Sequence, residues 1–230
     1  MIRGALLRRC YTLILWIALP VVLARLWWRG RMESGYRRHV AERFGRYAVW
    51  PRKPVIWLHA VSVGETRAAE PLVRLLAARH PEYELLITQM TAAGRDTAGA
   101  IFGGLATLAY LPYDYPFAVR RFLAHFQPRL GVLMETEIWV NLVQACAEAG
   151  VPLMLANARL SEKSARGYAK AATLARAALE SLACVVAQTP ADAQRLERLG
   201  ARSVEIAGNL KFDVVAPEGA AALAAEFRRR

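Results

Sequence analysis

Cysteine is scarce in this 230-residue chain: three residues, at 10, 146 and 184, with no Cys-x-x-Cys pair. Two of them lie in apolar stretches that read as core, so they are expected to be small buried hydrophobes in a reducing compartment. Histidine is nearly as rare, and four scattered residues offer no metal-ligand spacing. The chain has no Gly-x-Gly-x-x-Gly and no Walker pattern, which excludes an ordinary dinucleotide or ATP cradle. It also lacks Gly-x-Ser-x-Gly, which argues against a Ser-His nucleophile pair. No internal repeat occurs, and the one biased tract is the Ala-rich stretch at 216–225. Aromatic and basic residues are not interleaved in the main body, so nucleic acid is not the expected partner.

What is present begins with charge. The net charge is +12, and its placement is uneven: residues 1–50 hold ten Arg and two Glu, which is +8, leaving +4 for the rest. A basic arm of this kind suits an anionic surface. Within it, residues 10–24 carry no charge, and Leu26-Trp27-Trp28 extends the apolar run past Arg25, whose side chain can snorkel toward head groups. A bilayer crossing needs about twenty apolar residues, so both a spanning helix and a monotopic anchor stay open. No small-x-small cleavage site follows the run, which favours an uncleaved anchor over a signal peptide. The denser positive cluster follows the run and places the main body in the cytoplasm.

After Pro51, short apolar runs alternate with helical periods. Strands are expected at 54–59, 84–89, 106–111, 129–134, 151–156, 183–188 and 203–207. Helices are expected at 66–79, 92–101, 116–125, 138–149, 163–182 and 190–199. This alternation predicts an α/β fold, a parallel sheet with helices on both faces.

Four polar clusters fall where a strand ends, the edge at which open α/β sheets bind ligands. The first is His59-Ala60-Val61-Ser62-Val63-Gly64-Glu65. Glu65 is either a helix-start acid complementing the dipole or a general base, and a helix N-terminus would keep it ionised near neutral pH. Ser62 can cap the helix, His59 can donate a hydrogen bond, and Gly64 would let a substrate approach the backbone. The second cluster is Glu135-Thr136-Glu137-Ile138-Trp139, where two carboxylates after an apolar strand are expensive to bury unpaired. Glu137 is expected to cap the next helix, leaving Glu135 as the functional candidate. The third is Asn157-Ala158-Arg159-Leu160-Ser161, with Arg159 suited to phosphate or carboxylate, or to a surface ion pair. The fourth is Gly208-Asn209-Leu210-Lys211-Phe212-Asp213, where Lys211 can set a positive charge over a leaving phosphate.

With Glu42-Arg43-Phe44-Gly45 and the apolar arm, these segments in order resemble the Kdo transferases, which move 3-deoxy-D-manno-octulosonic acid (Kdo) from CMP-Kdo to lipid A precursors. One departure is Val140, where that family usually has Pro before Asn141. The resemblance implies the first, Rossmann-like half of a two-domain GT-B glycosyltransferase. Residues 1–50 would be a membrane anchor with a basic juxtamembrane segment, 51–215 the acceptor-binding domain, and 216–230 the start of a linker or helix to a donor-binding domain. It also implies Glu65 as proton acceptor, Glu135 and Lys211 as transition-state stabilisers, and Ser62, Gly64, Arg159 and Asn209 as substrate-binding residues. CMP-Kdo is the implied donor, with no cofactor and no metal. The implied setting is the bacterial inner membrane, with the catalytic domain in the cytoplasm and lipid A precursor as acceptor. The alternative is a membrane-attached, catalytically incomplete lipid A-binding module.

Overall fold

The computed structural model describes residues 2–213, so the linker expected over 216–230 lies outside the described residues. Seven strands form one sheet of all-parallel pairs in the order β3-β2-β1-β4-β5-β6-β7. They are β1 (Val55–His59), β2 (Glu84–Gln89), β3 (Thr107–Tyr110), β4 (Pro128–Met134), β5 (Leu153–Ala158), β6 (Cys184–Ala187) and β7 (Val204–Ile206). All seven expected strands are present, each within two residues of its expected ends. A parallel strand covered on both faces needs no polar alternation. That is why β1, buried at every position between β2 and β4, reads as an uninterrupted apolar run.

The pleat sends alternate side chains of β1 into two separate cores. Trp57 packs with Phe122, Leu133 and Leu155 on one face. Ile56 and Leu58 pack with Val73, Phe102 and Met134 on the other. Trp57 also explains a glycine: a Cβ on its strand neighbour Gly131 would stand 2.8 Å from the indole and 2.5 Å from Leu153.

The helices are α1 (Ile2–Met32), α2 (Val63–Arg79), α3 (Ala92–Phe102), α4 (Pro116–Phe126), α5 (Val140–Glu148), α6 (Glu162–Lys170), α7 (Ala172–Glu180) and α8 (Pro190–Leu199). The helix expected over 163–182 is two helices, broken at Ala171, whose φ/ψ of −115°/37° leaves the helical region. Ser62, Thr91, Ser161 and Thr189 cap α2, α3, α6 and α8 through their hydroxyls, so four strand-to-helix turns end in the same device.

Helix α1 is longer than the apolar run and, over Gly4–Met32, is long and apolar enough to cross a membrane. It nevertheless touches the α/β body along its length. Near its start Arg8 pairs with Glu148 at 3.0 Å, Tyr11 donates to Asp114 at 2.8 Å, and Leu15 accepts from the Tyr115 hydroxyl at 2.7 Å. Near its end Leu26 is buried against Tyr36 and Ala92. The opposite face exposes Leu13, Ile14, Ile17 and Val21.

Candidate active site

Strand order reverses between β1 and β4, which makes the gap beyond their carboxyl ends the topological switch point. Glu65 follows β1 and Glu135 follows β4, so the first two predicted carboxylates flank that gap.

Glu65 sits in the first turn of α2 and is 92% buried, with a relative exposure of 8%. Its Oε2 accepts the Val61 N–H at 2.7 Å, its Oε1 accepts the Ser62 hydroxyl at 2.7 Å, and its own N–H donates to Ser62 Oγ at 3.4 Å. This is a variant of the capping box, with the carboxylate taking the N–H one residue before the cap, so Ser62 caps the helix as expected and also aims the carboxylate. Burial nonetheless pushes the Glu65 carboxyl above the ordinary carboxylate range, with the Ser62 and Val61 hydrogen bonds pulling down and the charge of Glu135 pushing up. The direction is opposite to that expected from the helix terminus alone. Gly64 is exposed, and a Cβ there would meet nothing closer than Ser62 Oγ at 3.9 Å. Packing does not require glycine at 64. It does at Gly94, where a Cβ would lie 2.8 Å from Thr91 Oγ1 and 3.2 Å from the Val61 carbonyl. The N-terminus of α3 thus buttresses the Val61–Ser62 turn.

Two strand tips carry left-handed non-glycine residues: Glu135 at φ 58° and Asn157 at φ 54°. Such conformations cost about 1–3 kcal/mol and concentrate at functional sites. The Glu135 twist turns its carboxylate toward Lys211, whose Nζ lies 3.8 Å from Glu135 Oε1. Asn157 explains how Lys211 arrives there. Its buried Oδ1 accepts the Leu210 N–H at 3.2 Å, which ties the Leu210–Asp213 turn to the tip of β5. Asn209 Oδ1 accepts the Lys211 N–H at 3.0 Å and shapes the same turn. Arg159 is exposed, and among the described residues it forms no salt bridge. Its carbonyl accepts the Thr136 hydroxyl, linking the β4 and β5 tips.

Glu137 does not cap α5. Its Oε2 accepts the Trp139 indole N–H at 3.0 Å, and the cap is supplied by Asp114, which accepts the Asn141 and Leu142 N–H groups at 3.0 and 2.8 Å. Burial, with the charges of Glu65 and Glu135, pushes the Glu137 carboxyl up to about 7. Sequence reasoning therefore missed Glu137 as a member of the site. The signal was its place beside Glu135, at a cost no packing role explains. His59 is fully buried, with Nδ1 at 2.9 Å from Thr88 Oγ1, and burial lowers it to about 3, so it is a neutral core residue. Among the described residues no group of His, Cys, Asp or Glu side chains is arranged to hold a metal ion.

A family model for 3-deoxy-D-manno-octulosonic-acid transferase (kdotransferase) matches residues 38–214. The chain belongs to the Kdo transferase family. It is similar to the 3-deoxy-D-manno-octulosonic acid transferase of Bordetella pertussis, 42% identical over 220 residues, covering 92% of this chain and 51% of that protein. To the Haemophilus influenzae transferase it is 36% identical over 208 residues, covering 89% of this chain and 49% of that one. The chain thus spans about half the length of these Kdo transferases. Solved structures support the fold: a UDP-GlcNAc 2-epimerase from Neisseria meningitidis superposes with TM-score 0.50 at 14% identity over 70% of this chain and 48% of that one. The S. aureus MnaA–UDP structure gives 0.53 at 15% identity over 76% and 51%. The parallel sheet of this Kdo transferase half presents its polar strand tips along one edge.

Proposed function

We propose that this chain is the acceptor-binding half of a glycosyltransferase that moves Kdo from CMP-Kdo to a hydroxyl of a lipid A precursor in lipopolysaccharide synthesis. The observation that carries the reading is the meeting of Glu65, Glu135 and Lys211 at the switch point of a Kdo transferase fold. Glu65 takes the proton of the acceptor hydroxyl, and a carboxylate raised by burial is a stronger base than a solvated one. Lys211 offsets the negative charge on the departing CMP phosphate, and Glu135 offsets the positive charge that develops on the Kdo ring. Lys211 and Glu135 also offset each other across 3.8 Å. Direct displacement inverts the sugar carbon and invokes no metal or other cofactor. Ser62 and Gly64 line the approach to Glu65, while Arg159 and Asn209 flank the approach to Lys211. Replacing Glu65 by Gln in a complete transferase tests this reading, and undiminished transfer would remove Glu65 from the role.

We further propose that α1 lies in the cytoplasmic leaflet of the bacterial inner membrane rather than crossing it. Its contacts with the body run from Arg8 to Leu26, about 27 Å at 1.5 Å per residue, close to the ~30 Å of a hydrocarbon core. A helix held to one body at both ends cannot have a bilayer between those ends.

A second reading applies to these 230 residues taken alone: a membrane-attached module that binds lipid A without turnover. It is favoured by the chain spanning about half of its relatives. Robust transfer by the isolated chain, given CMP-Kdo and acceptor, would contradict it.

A further inference from the structure

Arg43 is a charged side chain 99% buried, at 1% relative exposure, with no carboxylate of its own. Its Nη1 donates to the Met90 carbonyl at 3.1 Å and its guanidinium lies 3.9 Å from the centroid of the Tyr110 ring, but Nε and Nη2 have no hydrogen-bond partner. The neighbouring carboxylate does not answer it. Glu42 is taken by Arg95 on both oxygens and by the Tyr110 N–H. An always-charged group buried with idle donors is costly unless something anionic meets it.

Beside Arg43 is a cavity of about 290 Å³ between the C-terminal half of α1 and the turn after β2. Arg25 and Arg29 of α1 stand at it, with Arg29 4.9 Å from the Tyr36 ring that shares the wall. Among the described residues none of these three arginines forms a salt bridge. Val22 and Leu26 complete the α1 side, and Val21, adjacent to Val22, is 70% exposed on the apolar face.

We propose that this cavity is a binding pocket for a phosphate borne by a membrane lipid, with Arg25 and Arg29 at its mouth and Arg43 at its base. Three cations that, among the described residues, pair with no carboxylate select a multiply charged oxyanion, and planar guanidinium forks suit phosphate. The exposed apolar turns of α1 beside the mouth select an anion with an acyl chain attached. The proposal rests on α1 being a membrane helix and does not need the transfer reaction. The pocket also adjoins the catalytic edge. Thr91 lines it, and the Thr91 hydroxyl donates to the carbonyl of Val61, whose N–H bonds Glu65. A lipid phosphate seated here therefore braces the turn that holds Glu65.

The test is binding of the full chain to three kinds of vesicle: neutral galactolipid alone, the same doped with phosphatidic acid, and the same doped with an acylated glucosamine phosphate. The wild type is expected to bind all three, with tighter binding to one or both doped sets. A gain confined to the glucosamine phosphate identifies the acceptor lipid as the source, and a gain with phosphatidic acid identifies bulk phospholipid. Each arginine near a lipid surface contributes about fivefold. The double substitution Arg25→Gln with Arg29→Gln should therefore remove about 25-fold of the phosphate-dependent gain, against less than about twofold for the remote pair Arg166→Gln with Arg198→Gln. Equal losses from the two pairs would reduce the effect to net charge and overturn the pocket. Failure to bind neutral vesicles would instead overturn the membrane reading of α1, and the pocket with it. Arg43→Gln, checked for folding by circular dichroism, should lose the gain while keeping neutral-vesicle binding. The Arg25 and Arg29 pair decides the matter even where Arg43→Gln does not fold.

Discussion

Burial raises the Glu137 carboxyl to about 7, and the charges of Glu65 and Glu135 add to the rise. Removing the charge of Glu65 should relieve part of it. Carbon-13 NMR of the Glu137 carboxyl should show a titration near pH 7 in the wild type and a lower midpoint in Glu65→Gln; an unchanged midpoint would show that the two groups are not coupled. The stability consequence follows from the same direction. The folded-state midpoint lies above the unfolded 4.5, so the contribution of neutral Glu137 is complete below about pH 4.5 and is lost as pH rises through about 7. Chemical denaturation at pH 5 and pH 8 should show a smaller loss of stability over that interval for Glu137→Gln than for the wild type. At this scale the sequence singled out Glu65, Glu135 and Lys211, because each lies in a polar segment that follows an apolar strand. It did not reveal what Asn157, Asp114 and Arg43 do. Their roles depend on contacts 53, 27 and 47 residues away in the chain.

Among the elements, the strands were legible because a parallel strand buried on both faces leaves a plain apolar run. The break at Ala171 was not, since neither glycine nor proline marks it. The true cap of α5 was hidden for another reason: Asp114 comes from the turn after β3, and it joins α5 to α1 by accepting from Tyr11 as well. Burial raises that carboxyl to about 6 while its three donors act the other way. Asp114→Ala should cost about 1–3 kcal/mol, because it leaves two helix-terminal N–H groups and the Tyr11 hydroxyl unpaired. Urea denaturation measures the loss, and hydrogen exchange in residues 8–15 should rise with it if the Tyr11 contact holds α1. Gly131→Ala should cost a similar ~1–3 kcal/mol, since its methyl would enter the space of Trp57 and Leu153.

For the whole molecule, a sheet whose switch point gathers the charged strand tips stands beside a helix whose outer face is apolar. Under the proposed function, that arrangement would bring a lipid-borne hydroxyl to Glu65 without drawing the lipid fully out of the bilayer. If α1 lies flat, cysteines introduced at Gly4 and at Met32 should both react with a membrane-impermeant thiol reagent from the cytoplasmic side alone. Labelling of one of them from the opposite side would show that the helix crosses. The fold and the identity of the family were legible in the order of the motifs, whereas the attitude of α1 was not, since an apolar run of that length suits either placement. The central claim, that Glu65 is the base, is met most directly by the transfer rate of Glu65→Gln in a complete transferase. The amide keeps an acceptor for the Val61 N–H, so the fold should survive. The account predicts a fall in turnover of about 10²–10⁴-fold with acceptor binding retained, and a turnover equal to that of the wild type would contradict it.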